Sequence, residues 1–159
     1  MVHKANKYLN LTILLLSFVL AATVLLACDN EDDIGSIFSG KTWYVSGVEI
    51  NSTPISGDEL KSIYAVQNSY FIFFASDHSF SGILTSGSSI AGTWDANGKN
   101  NGLKLDFNKA ENVSESAVSA NIYNILKGAT AYSGDENNIK IKKDNHNYVR
   151  LTNSRNSNN

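Results

Sequence analysis

Between residues 40 and 152 the apolar positions come in short bursts, most of them alternating with polar ones, and Ser, Asn and Gly fill the gaps. Alternation at period two predicts half-buried strands. Gly and Asn between the bursts favour turns, because both tolerate positive φ and Asn bonds its own backbone. The pattern predicts eight strands, over 42–50, 70–75, 79–84, 90–95, 103–107, 129–132, 139–142 and 147–151. Leu103-Lys104-Leu105-Asp106-Phe107 alternates cleanly, apolar in and charged out. Tyr70-Phe71-Ile72-Phe73-Phe74-Ala75 does not alternate, and it reads as a strand buried on both faces or with one face inside a barrel. Ser56 and Glu59 fit a capping box ahead of a helix over 57–67, with Leu60, Ile63 and Tyr64 turned inward. Asn112, with Glu115 three residues on, begins a second helix in which Val118, Ile122 and Ile125 share a face and Gly128 ends the run. The fold class is therefore mainly β: a small antiparallel meander barrel of about eight strands with one or two short helices, since closing the meander removes its edges. A sandwich is the rival arrangement. A barrel of this size has an interior filled by side chains, or one that holds a single small ligand.

Ahead of this region the pattern changes. Lys4 and Lys7 precede an apolar run, Ile13–Leu26, and Leu25-Leu26-Ala27-Cys28 follows at its end. A positive start, an apolar core and a small residue before the cut are the parts of a secretory signal. Residues 9–27 carry no charge and are near spanning length, so an uncleaved membrane helix is the rival reading. The Leu-x-Ala-Cys ending resembles the bacterial lipobox. That resemblance implies cleavage after Ala27 and lipidation of Cys28, which anchors the chain to a membrane. Asp29-Asn30-Glu31-Asp32-Asp33 then reads as a solvated tether. The acidic run resembles a surface-export signal, which implies an outer-membrane lipoprotein of the cell envelope with surface exposure. The domain order expected is a signal peptide over 1–27, the lipidated Cys and acidic tether over 28–39, the barrel over 40–152 and a polar tail over 153–159.

Composition narrows the chemistry. With Lys4 and Lys7 removed in the leader, 11 basic and 15 acidic side chains remain, net −4. Without a basic run, that balance argues against nucleic-acid binding. The lone Cys excludes a disulfide framework and a Cys-based zinc site. His78 and His146 each sit in a turn-rich stretch without a metal-ligand spacing, His3 leaves with the leader, and no Gly-x-Ser-x-Gly elbow occurs. No enzyme activity, metal or cofactor is expected. The aromatics are the better candidates for binding. Trp43, Phe73 and Trp94 alternate along strands, mostly as core, with a barrel mouth or sheet face as the functional alternative.

A Trp-bearing first strand, Phe74-x-x-Asp77-x-x-Phe80-x-Gly82, Gly92-Thr93-Trp94 and a helix ahead of the closing strands are similar to the META domain of envelope heat-shock lipoproteins. The chain is also similar to lipocalin-like small lipoproteins. That second resemblance implies an Arg on the last strand, here Arg150, packing on the Trp of the first, here Trp43. Both imply a non-catalytic envelope protein. The expected function is a lipid-anchored barrel that binds a small apolar ligand or acts as a scaffold, with Trp43, Phe73, Trp94 and Arg150 as ligand-binding candidates. The alternative is a protein-binding module, an inhibitor or a subunit of a surface complex.

Overall fold

The computed structural model describes residues 32–155. Cys28 and the leader therefore lie outside the described residues. Helix α1 (Ile34–Ile37) leads into β1 (Lys41–Ile50), the two-residue β2 (Thr53–Pro54), α2 (Gly57–Ala65), β3 (Phe71–Phe74), β4 (Ser79–Ile83), β5 (Ser89–Asn97), β6 (Gly102–Glu111), α3 (Ala117–Lys127), β7 (Ala131–Gly134), β8 (Asn138–Lys142) and β9 (Tyr148–Thr152). All pairings are antiparallel. Leaving out β2, the strands form a meander in chain order, and β9 returns to pair with β1. The result is a closed eight-stranded barrel.

Strand β1 makes the closure. Its first half pairs with β3, Trp43 opposite Ile72, and its second half with β9, Val48 opposite Val149. The register shifts between Val45 and Gly47, so Ser46 forms a bulge. A bulge bends a strand and strengthens its twist, which lets one strand serve both sides of a closed sheet. Gly92 marks a second bend, beside a register shift in the β5–β6 hairpin. A Cβ there would run into the Asp106 carbonyl and lie 2.8 Å from the Phe80 ring. The missing side chain lets Phe80 reach Phe107, edge to face at 5.0 Å.

The helices cover what the strands leave open. Strands β6 and β7 share one register pair, Gly102 with Ala131. Helix α3 packs on β6, β8 and β9 with Val118, Ile122, Ile125 and Leu126 buried. It starts later than the sequence predicts. Its N-cap is Ser116, in a capping box with Ser119. Asn112 has φ +52, outside the extended region an N-cap adopts, and its side chain donates to the Gly87 carbonyl of the β4–β5 turn. Helix α2 has the expected Ser56–Glu59 box and buries Ile63, with Leu60 and Tyr64 packed on the core.

The larger departure is α1, a third helix inside the segment expected to be tether. Asp33 caps it, accepting from the Ser36 N–H. Ile37 and Phe38 are buried behind it. The Asp32 N–H donates to the Gly98 carbonyl, and Asp32 Oδ2 accepts from the Tyr132 hydroxyl at 2.9 Å. Gly40 donates to the Phe74 carbonyl, and Lys41 pairs with Glu136 at 3.6 Å. So α1 sits at the end carrying the β3–β4, β5–β6 and β7–β8 turns. At the other terminus, Asn153 bonds the β7–β8 turn and Arg155 donates to the Val66 carbonyl.

The core runs along the barrel axis. Phe38 is fully buried and meets Phe74 at 5.1 Å, Trp94 at 5.5 Å and Tyr132 at 5.1 Å. Those partners stand on β3, β5 and β7, so one side chain bridges three sides of the wall. Burying an aromatic of this size contributes about 1.5–3 kcal/mol over leaving it exposed.

Candidate functional site

The four candidate binding residues do not meet. Trp43 and Trp94 face the interior, and both indole N–H groups are satisfied, by the Ile37 and Ala75 carbonyls at 3.1 Å each. The His78 ring stacks on Trp94 at 4.6 Å. Phe73 is half-buried on the outward face of β3, in register with Thr42 and Ser81. Arg150 stands on the outward face of β9, its stem over Gly47. Trp43 and Arg150 thus occupy opposite faces of the wall, and the Arg-on-Trp packing implied by the lipocalin resemblance is not formed. Among the described residues no buried side-chain nitrogen or oxygen lacks a partner. The interior around Phe38 offers rings already in contact and no spare hydrogen-bonding group.

Two hollows on the outer wall differ in chemistry. One, of about 430 Å³, is lined by Thr42, Tyr44, Asn68, Phe71, Ile83 and Arg155. Register places Tyr44 beside Phe71 and Phe71 beside Ile83 on outward positions. The Tyr44 and Phe71 rings are 6.4 Å apart and tilted by 54°. The Arg155 guanidinium lies 6.0 Å from the Tyr44 ring centre. The approach to β3 is shaped by Asn68 and Tyr70, at φ +58 and +57, and the Tyr70 carbonyl accepts from the Val45 N–H. The sequence run 70–75 concealed this surface, because every position in it is apolar and its phase is invisible without the pairing.

The second hollow, of about 210 Å³, lies on β7–β9 and the β1 bulge and includes Ser46, Ser133, Asn138, Lys140 and Arg150. Arg150 Nη2 donates to the Tyr148 hydroxyl at 3.1 Å and to Glu49 Oε2 at 3.2 Å. Tyr148 donates its proton to the same Glu49 oxygen. The guanidinium is held above its ordinary pKa, first by the bond to Tyr148 and then by Glu49. The Lys140 ammonium also lies near the Tyr148 ring, 5.0 Å from its centre.

The structure also joins two turns that sequence reading left apart. Ser52 Oγ and His146 Nδ1 lie 2.6 Å apart across the β1–β2 and β8–β9 turns, both exposed. Asp144 bonds the backbone N–H of His146 and the Asn147 amide. Among the described residues no acid is bonded to the imidazole, so the third member of a nucleophile–base–orienter set is missing. Nor does any group of three or more His, Cys, Asp or Glu among the described residues stand ready for a metal ion.

The model of the domain-of-unknown-function family DUF4847 matches residues 29–153. The chain belongs to that family. The crystal structure of a DUF4847 family protein from Bacteroides vulgatus ATCC 8482 is similar over 78% of this chain and 99% of that one, with a TM-score of 0.64 and 22% identity. At that identity the likeness shows the fold, and it is the closed barrel described above. No curated protein sequence matches the chain.

Proposed function

We propose that this DUF4847 member is a lipid-anchored, non-catalytic binding domain of the bacterial cell envelope. It is held through Cys28 in the outer membrane and takes a small apolar ligand on its outer wall. The carrying observation is the Tyr44–Phe71–Ile83 hollow, an aromatic-lined recess on a wall whose interior is already filled. Apolar recesses with a few polar groups at the rim are the usual form of a small-molecule site. Thr42, Asn68 and Arg155 supply that rim here. The lipobox-like Leu-x-Ala-Cys sequence supports the anchor.

Two measurements test the reading. A saturable apolar probe, 1-naphthol, titrated into the full chain, should lose roughly tenfold or more in affinity when Tyr44 and Phe71 are both replaced by Ala, which removes stacking worth about 1.5 kcal/mol. Arg150→Gln should leave that affinity unchanged. Binding that ignores Tyr44 and Phe71 overturns the ligand half. For the anchor, Cys28→Ala should move the protein from the membrane to the soluble fraction; continued membrane fractionation overturns it. The same outward apolar row, extended by Phe73, also favours the second reading, a protein-binding module. A stoichiometric envelope partner released by Phe71→Ser and Phe73→Ser would select it.

A further inference from the structure

We propose that the outer wall over β7–β9 carries a second site, distinct from the aromatic hollow, for an oxyanion on a small polar molecule: a carboxylate, sulfate or phosphate ester. The first reason is a pairing that the sheet itself does not favour. Lys140 and Arg150 are direct register partners on β8 and β9, with both side chains outward and exposed. Like charges directly opposite destabilise a sheet. Glu49 offsets only one of them, because its oxygen is bonded to Tyr148 and Arg150. Among the described residues Lys140 has no ion pair, and its recorded partner is the face of Tyr148.

The second reason is the shape and inventory of the recess beside that pair. The β1 bulge puts Ser46 at its edge, and Gly47 presents no side chain under Arg150. Ser133 faces Lys140 in register from β7, and Asn138 precedes it on β8. Short polar side chains thus line the hollow together with Gly134, Ile139 and Leu151, and Lys140 and Arg150 supply its cations. The side chains of Ser46, Ser133 and Asn138 have no recorded hydrogen bond, and no carboxylate lines the hollow. Two hydroxyls, an amide, an ammonium and a guanidinium therefore converge on about 210 Å³, with every charged group of one sign. Charge-assisted bonds from Lys and Arg to an oxyanion are the strong class of hydrogen bond, and Arg matches a planar or tetrahedral oxyanion with a fork of donors. On a chain whose remaining charge is net negative, this is a local inversion, so attraction should be short-ranged and salt-sensitive.

The test uses the full chain and five probes: glucuronate, inorganic sulfate, inorganic phosphate, uncharged glucose, and vesicles of phosphatidylglycerol in phosphatidylcholine. Isothermal titration and sedimentation should show binding of at least one charged probe and none of glucose. Lys140→Gln and Arg150→Gln should each weaken it by roughly tenfold, the loss of one charge-assisted bond. Lys104→Gln, on a strand away from the hollow, should leave it unchanged. Binding of free oxyanions identifies a soluble ligand, and binding confined to the anionic vesicles identifies a lipid headgroup as the source of the same chemistry. Lys140→Gln should also raise, not lower, the midpoint of denaturation, which a purely structural lysine would not do. The proposal is overturned if no charged probe binds, if glucose binds equally, or if binding survives both substitutions. The naphthol titration reads Tyr44 and Phe71, which line the other hollow, so either site can fail alone.

Discussion

Around Phe38, inside the barrel, four rings touch and, among the described residues, no buried side-chain nitrogen or oxygen lacks a partner; around Lys140, on the outer wall, two cations face each other and the side chains of Ser46, Ser133 and Asn138 make no hydrogen bond to the described residues. The two regions lie on the same strands, since Ile139 and Ile141 point into the first while Lys140 points into the second. The difference separates two demands on one β-sheet. Inward positions are chosen for packing, where a void or an unpaired group is costly. Outward positions are free of that demand, so a combination that works against stability there is informative about binding. In this barrel the inside is tightly packed around Phe38, and the two hollows described lie on the outside.

The sharpest way to break that comparison is Phe38→Ala. If Phe38 is the interior keystone, its loss should destabilise the fold by about 3–5 kcal/mol in urea denaturation, the range for deleting a buried aromatic. A loss under about 1 kcal/mol, within the range of ordinary surface changes, would mean that the interior tolerates space and that a ligand can occupy it. A smaller effect is expected from Tyr132→Phe, which removes the bond to Asp32 and should lower stability by about 1 kcal/mol. It carries a pH signature. Burial, and then the hydrogen bond and charge of Asp32, raise the Tyr132 pKa well above its ordinary value. The stability that goes with a raised folded-state pKa is complete below the unfolded value, near pH 10, and is lost as pH rises beyond it. The wild-type chain should therefore lose stability above about pH 10 more steeply than Tyr132→Phe, and equal slopes would refute the assignment. The smallest effect belongs to the outer wall. Arg150→Gln breaks an ion pair in which the arginine side chain is half exposed and should change stability by less than about 1 kcal/mol, an effect diminished by added salt.

How much of this was legible in the sequence follows from which physical signal each part sends. The strands were readable because alternation and turn residues are local. The closed barrel followed because a meander of that many strands must dispose of its edges. Helix α1 is masked in the sequence by the acids at 29–33, which mark the segment as solvated. Yet Ile34, Ile37 and Phe38 stand at helical spacing behind an Asp cap, a signal that was present. Asn112 was a good cap by residue type, and only its positive φ excludes it. The wall sites were beyond sequence reading for a different reason. The phase of β1 slips at Ser46, so Trp43, Val45 and Val48 all point inward at uneven spacing. No periodicity rule carries across a bulge, so which residues of β1 lie beneath Arg150 could not be read from spacing, although Arg150 itself alternates with the inward Val149 and Leu151. Its neighbour Lys140 is ten residues away in sequence, and their contact exists only through register.

The latch at Asp32 has a mechanical consequence. A pull on the N-terminal end of the described chain is borne first by the Asp32 bonds to Gly98 and Tyr132, and next by Phe38, which must be drawn out past Phe74, Trp94 and Tyr132 before any strand is loaded. A pull on the other end reaches β9 directly, after only the Asn153 and Arg155 contacts have parted. The barrel is thus a polar spring with a stiff end and a soft end. Tension entering at Asp32 meets a cork seated from within, and the same tension entering at Arg155 meets a seam that unzips one hydrogen bond at a time.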